Sequence, residues 1–221
     1  MKRKNQKAFT LIELLIVIAI IAVLATVVVL SLNPAELLRQ SRDSNRLSDM
    51  ATYKSAISLY LADQSSPSLG ASGTCYVSVA TGTFAVPNSS SSPTWSGTAT
   101  TSCALWMVTT ITSASTTRGI LGTNGWVPVN FNAISSGSPI GQEPIDPVNQ
   151  VGTTTNCSYS GGSGNPSNCG LFYSYDESGG TTFKTAAFME SGKYSASSTG
   201  VEGTDGGNSI NVYESGTNPA L

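Results

Sequence analysis

Phe9 to Leu32 reads FTLIELLIVIAIIAVLATVVVLSL, a run of 24 residues carrying one charge, Glu13. At a rise of about 1.5 Å per residue, a helix of this length spans about 36 Å, more than the roughly 30 Å of a hydrocarbon core. A cleaved secretory signal has an apolar region of only about 7 to 15 residues, ended by a small-residue site. The run here continues far beyond that, so the expectation is a membrane span. Lys2, Arg3, Lys4 and Lys7 precede it. Basic residues concentrate on the cytoplasmic side of a span, which places the body after residue 32 on the exported side.

Charge elsewhere is sparse and uneven. The chain has 221 residues, a net charge of -2 and 11% charged residues, against roughly 25% in an average soluble protein. Gln64 to Thr117 contains no charge, and the chain contains no histidine. The missing imidazole excludes hydrolases built on Ser-His or Cys-His pairs. Asp176 and Glu177 are adjacent, so a strand would point them to opposite faces rather than at one substrate. No phosphate-binding glycine loop or activated nucleophile is present. An enzyme is not expected.

A carboxylate costs about 2.5 to 3.5 kcal/mol at the centre of a membrane helix and less near an end, so Glu13 calls for a partner. Its context, Lys7-Ala8-Phe9-Thr10-Leu11-Ile12-Glu13, resembles the processing site of type IV prepilins and pseudopilins. The resemblance implies that an inner-membrane prepilin peptidase cuts between Ala8 and Phe9 and methylates the new N-terminus. The family prefers Gly where this chain has Ala8. Glu13 then lies one helical turn from the Phe9 amine, on the same face. In a filament of staggered subunits it can neutralise the amine of a neighbour. Removing one member of such a buried pair typically costs roughly 3 to 5 kcal/mol.

Asn33-Pro34 interrupts the helical pattern, and a kink or a locally melted turn is expected there. Ala35 to Asp63 reads as an amphipathic helix with Leu47, Met50, Tyr53, Ile57 and Tyr60 on one stripe, a core face for packing on a sheet. Its charges balance, four basic against four acidic. Arg39, Arg42 and Arg46, interleaved with Glu36, Asp43 and Asp49, read as a solvated face. The segments Cys75 to Val79, Ala104 to Ile111, Trp126 to Phe131, Leu171 to Tyr175 and Thr182 to Met189 read as strands. Without intervening helical patterns they argue for an antiparallel sheet. Glu143-Pro144-Ile145-Asp146-Pro147 followed by Leu171-Phe-Tyr-Ser-Tyr175 resembles the Pro-x-Asp-Pro element and tyrosine strand of bacterial major pilins and type II secretion pseudopilins.

The expected fold is therefore α+β and type IV pilin-like: one long N-terminal helix, half transmembrane and half amphipathic, packed on an antiparallel β-sheet head. Residues 1–8 are the leader, 9–34 the membrane and assembly helix, 35–63 the amphipathic half and 64–221 the head. Ser65 to Thr117, with 25 Ser and Thr among 53 residues, is read as an ordered hydroxyl-rich excursion. Cys75, Cys103, Cys157 and Cys169 suit two disulfides in an oxidising compartment. Three pairings are open; Cys75 with Cys103 and Cys157 with Cys169 are favoured because each pair brackets a polar loop. Each closure is worth roughly 3 to 4 kcal/mol on the loop-entropy model. No Cys follows Cys169, so the C-terminal stretch must be held by other means. Asp176, Glu177, Glu202, Asp205 and Asn208 supply oxygen ligands on Gly-rich backbone, as Ca2+ prefers, and some pseudopilins bind calcium in this region. A turn is the commoner meaning of Asp-Gly-Gly-Asn. No other cofactor is expected.

The expected function is that of a structural subunit of a type IV pilus or pilus-like filament; the alternative is a pseudopilin of a type II secretion or DNA-uptake apparatus. The implied partners are further copies of the chain in a helical homopolymer, prepilin peptidase, the assembly platform and its motor, minor pilins, and the membrane. The implied location is the inner membrane before assembly and an extracellular filament afterwards. Arg118, Lys184 and Lys193 are the head's basic residues against eight acidic ones, so direct DNA binding is not expected. An adhesin-like head using Trp95 and the Ser/Thr loop is a further reading.

Overall fold

The structure is a computed structural model that describes residues 9–31, 33–71, 74–79, 113–150, 171–177, 180–195, 200–207 and 212–218. It divides into two compact units, Met1–Leu38 and Arg39–Leu221. Helix α1 spans Leu11–Ser31 and α2 spans Pro34–Asp63. The break between them falls where Asn33-Pro34 predicts it. Asn33 has φ 40°, and its backbone oxygen accepts from Glu36 N at 3.0 Å and Leu37 N at 3.3 Å. Asn is among the few residues that adopt the left-handed region readily. Pro34 then stands in the first helical position, where its missing N–H costs nothing.

In the second unit the core lies between α2 and a five-stranded sheet. The strands are β1 (Tyr76–Val77), β2 (Ser113–Ala114), β3 (Tyr173–Glu177), β4 (Phe183–Ala187) and β5 (Tyr213–Gly216), in the order β2-β1-β3-β4-β5. The pairs β1–β3, β3–β4 and β4–β5 are antiparallel. The β1–β2 pair is parallel, a departure from the purely antiparallel expectation. Register sets the faces. Tyr173 stands opposite Ala187, Tyr175 opposite Thr185 and Glu177 opposite Phe183. Tyr173, Tyr175, Phe183 and Ala187 join Met50, Tyr53, Ile57 and Tyr60 of α2 in one buried cluster. The expected stripe is thus the core face of α2, with Leu47 partly buried at its edge.

Trp126 to Phe131 is not a regular strand. Gly125 and Asn130 make isolated bridges to Arg118 and Leu121, and Phe131–Ala133 is a single 3-10 turn. The alternating apolar residues are still buried, with Trp126 at 2% exposure and Val127, Val129 and Phe131 at 0%. Pro128, which lacks a donor for a ladder, explains why burial occurs here without strand pairing. Strand β5 answers what secures the C-terminal stretch: it pairs with β4 over Tyr213 to Gly216. The expected strand at Ala104 to Ile111 and most of the Ser/Thr-rich excursion, including Trp95, lie outside the described residues.

Candidate functional site

The N-terminal segment folds as sequence chemistry dictates at a helix start. Thr10 is the last residue before α1 and Glu13 lies in its first turn. The Glu13 Oε2 accepts from the Thr10 backbone N at 3.0 Å and from the Thr10 hydroxyl at 3.0 Å. The Glu13 N donates to Thr10 Oγ1 at 3.3 Å. This reciprocal arrangement is a capping box, in which two helix-start donors that lack intrahelical partners are satisfied together. Thr10 was absent from the expected functional residues, yet Thr10-Leu-Ile-Glu13 carries the T-x-x-E signature in plain view. Glu13 therefore serves its own helix through a bond that uses nothing N-terminal to Thr10.

Beyond the cap, every Leu, Ile and Val from Leu11 to Val28 is exposed within the chain, from Leu11 at 85% to Val17 at 49%. The window Leu11–Val28 is long and apolar enough to cross a membrane. A surface of this size is unsatisfied until lipid or another protein covers it. Phe9, on the mature side of the expected cut, is 86% exposed. Ala8, on the other side, lies outside the described residues.

The Prokaryotic N-terminal methylation motif matches residues 3–29. The chain carries the type IV prepilin-like signal. This match covers Arg3, Lys4 and Lys7 of the basic cluster, the expected cleavage point, Glu13 and most of α1. No curated protein and no solved structure matches the chain.

In the head, the Glu143 to Pro147 element is the fastening point of α2. Arg46 of α2, 0% exposed, donates through Nε to Asp146 Oδ2 at 2.6 Å and through Nη2 to Asp146 Oδ1 at 2.9 Å. Its Nη1 lies 2.8 Å from Asp43 Oδ1 and 2.7 Å from Glu190 Oε1. Arg42 holds the same Glu190 from the other side, with Nε donating to Oε1 at 2.8 Å. Asp43 in turn accepts from Glu190 N at 2.9 Å and Ser191 N at 2.8 Å. The solvated face expected for these charges is thus corrected: Asp43 and Arg46 are both fully buried. Sequence spacing could not find this, because Asp146 and Glu190 lie about a hundred or more positions away and a buried charge at helical spacing looks like a surface one. Burial works against the Arg46 charge, but the Asp146 hydrogen bonds and the field of Asp146 and Glu190 hold it above its ordinary range. Burial likewise raises Glu190, and the two arginines outweigh it to leave the carboxyl below its usual value.

Tyr53 Oη and Trp126 Nε1 both donate to the Pro144 carbonyl, at 2.8 and 2.9 Å. Glu143 Oε2 accepts from Trp126 N at 2.7 Å and Val127 N at 3.0 Å. Burial pushes the Glu143 carboxyl from 4.5 up to about 7, against the lowering effect of those backbone donors. In the tyrosine strand, Tyr173 Oη donates to Asp49 of α2 at 2.6 Å and Tyr175 Oη to the Leu69 carbonyl at 2.8 Å.

Of the five expected calcium ligands, Asp176, Glu177, Glu202 and Asp205 are among the described residues. Asp176 and Glu177 occupy opposite faces of β3, the former across from Lys184 and the latter across from Phe183. Glu202 is fully buried and accepts from Met189 N at 2.9 Å. Asp205 closes a turn by accepting from Gly207 N at 2.8 Å and also accepts from Glu214 N at 2.5 Å. Asn208 lies outside the described residues. Among the described residues no group of three or more His, Cys, Asp and Glu is placed to hold a metal ion. Cys75, 2% exposed, is disulfide-bonded. Cys103, Cys157 and Cys169 lie outside the described residues, and with them the choice among the three pairings.

Proposed function

We infer that this chain is the structural subunit of a type IV pilus or pilus-like filament. It waits in the membrane through α1, is cut between Ala8 and Phe9 by prepilin peptidase and methylated at Phe9, and polymerises by exchanging lipid around α1 for the helices of other copies. The observation that carries this reading is the coincidence of the prepilin-like signal at residues 3–29 with a helix whose apolar side chains from Leu11 to Val28 find no cover in the chain itself. Glu13 stands ready to meet the Phe9 amine of a neighbouring copy once the cap in its own helix is made.

The head supports a building role over nucleic-acid capture. Of its basic residues, Lys184 is buried on Glu214 at 2.9 Å, and Arg118 donates to the Glu143 carbonyl at 2.7 Å. Little cationic surface remains to neutralise phosphates. The test is fractionation of the expressing cell: the chain should appear as polymer in the material sheared from the surface and as monomer in the membrane. Retention of all of it in the membrane fraction, in cells that possess an assembly platform and shed other filaments, would overturn the reading.

A further inference from the structure

The face of the sheet turned away from α2 carries a second set of buried charges. Side chains alternate along a strand, so with Tyr173, Tyr175, Phe183 and Ala187 packed on α2, the residues between them point the other way. Asp176 of β3, Lys184 of β4 and Glu214 of β5 share this far face, one on each of three neighbouring strands. All three are buried, at 2%, 1% and 1% exposure. Lys184 stands directly opposite Asp176, a register that brings Cβ atoms to about 4.5–5.5 Å. On its other side Lys184 Nζ lies 2.9 Å from Glu214 Oε1.

Two glycines shape the pocket. Gly216 is the β5 residue opposite Lys184, and a Cβ there would come 2.1 Å from the Phe183 carbonyl and 3.0 Å from Lys184 Cα. Its bare backbone lets β5 lie this close to the β4 backbone beside Lys184. A Cβ on Gly207 would fall 2.1 Å from Glu214 Oε2, so that segment lies flat on the carboxylate. Ser174 and Ala186, the neighbouring pair on this face, and Phe172 and Phe188 beyond them are also buried. Lys184 is thus paired with a carboxylate on β5 and stands opposite a second on β3, and all three groups are buried.

These are the ingredients of amide formation. A desolvated lysine amine is a nucleophile. A fixed neighbour raises its effective concentration to about 10⁵–10⁸ M, which opposes the hydrolysis that dominates in free solution. Three buried charges are costly, and condensation removes two of them.

We propose that Lys184 and Asp176 are joined by an intramolecular amide bond between β4 and β3, with Glu214 as the proton carrier. Glu214 takes a proton from the Lys184 ammonium. The free amine attacks Asp176 Cγ, and the carboxyl oxygen leaves as water, carrying the proton that Glu214 returns and a second one given up by the attacking nitrogen. An ammonium and a carboxylate become one amide and one water, with no oxidant or co-reactant. The Cγ–O bond breaks, the Cγ–Nζ bond forms, and the new N–H faces Glu214.

Trypsin digestion of the denatured, reduced full chain followed by mass spectrometry tests this. Trypsin cuts after Arg118, Lys184 and Lys193, so an unmodified chain yields peptides 119–184 and 185–193. The proposal requires a peptide 119–193, uncut at Lys184 and one water lighter than its composition. Lys184→Arg should restore the cut and the full mass, and Glu214→Gln should do so with the lysine still in place. Peptides 119–184 and 185–193 at full mass from the wild-type chain would overturn the bond. A link joining 119–193 to 194–221 would overturn the assignment to Asp176, and a wild-type cross-link in Glu214→Gln would overturn the role of Glu214.

Discussion

On the proposed function, Glu13 has two tasks that are separable by substitution. Its carboxylate closes the capping box with Thr10 in its own helix, and its charge is available for the Phe9 amine of another copy. Glu13→Gln keeps a side chain that can complete the box but removes the charge; Thr10→Ala removes the cap at a cost of typically about 1 kcal/mol and keeps the charge. If the ion pair drives assembly, Glu13→Gln leaves the chain in the membrane and abolishes sheared filaments, while Thr10→Ala lowers their yield only moderately. Comparing the membrane and sheared fractions of both variants decides between the tasks. Arg46 gives the second prediction at this scale. Arg46→Ala strands Asp43, Asp146 and Glu190 as buried carboxylates with one arginine fewer, and should destabilise the chain by roughly 3 to 5 kcal/mol. Denaturant unfolding of the full chain in detergent measures the loss.

Helices and strands differ in how openly the sequence announces them. The 24-residue apolar run could be read directly from its unbroken length, and the five-residue stripe on α2 from its helical period. The break at Asn33-Pro34 was equally plain, since proline acts through covalent geometry. Strands β3 and β4 were legible from runs of aromatic and apolar residues, whereas β5, Tyr-Glu-Ser-Gly, has no such signal. It is specified by what it meets: Glu214 reaches Lys184, and Gly216 allows the close approach to β4. Trp126 to Phe131 misled in the opposite sense, because burial on an irregular segment mimics the alternation of a strand. The α2 ion network was illegible for a related reason, since its partners meet only after the chain has folded. Gly216→Ala tests the β4–β5 contact: the added Cβ meets backbone at 2.1 Å and should cost about 1 to 3 kcal/mol by overpacking, read as a lowered unfolding midpoint.

At the scale of the whole molecule, a head fastened by buried carboxyls has a pH-dependent stability. The Glu143 carboxyl is raised from 4.5 to about 7 by burial, so the folded state binds its proton more tightly than the unfolded one. That contribution is fully present below pH 4.5 and is lost as pH rises through about 7. Burial also raises Asp49 and Asp205, in the same sense, while Glu190 is lowered by its arginines and acts oppositely. The Glu143 part is isolated by substitution: between pH 7 and pH 5 the wild-type chain should gain on the order of 2 kcal/mol relative to Glu143→Gln. Parallel pH profiles of the two proteins would expose any other source of the change.

Charge, apolar surface and the prepilin-like signal meet around the boundary between Ala8 and Phe9, where the proposed function places the cut. The most direct test is the mass of the N-terminal peptide of the mature chain, purified from cells that express prepilin peptidase. The expected result is a chain beginning at Phe9 with a methylated amine. A mature chain that still begins at Met1, or is cut elsewhere, would contradict it.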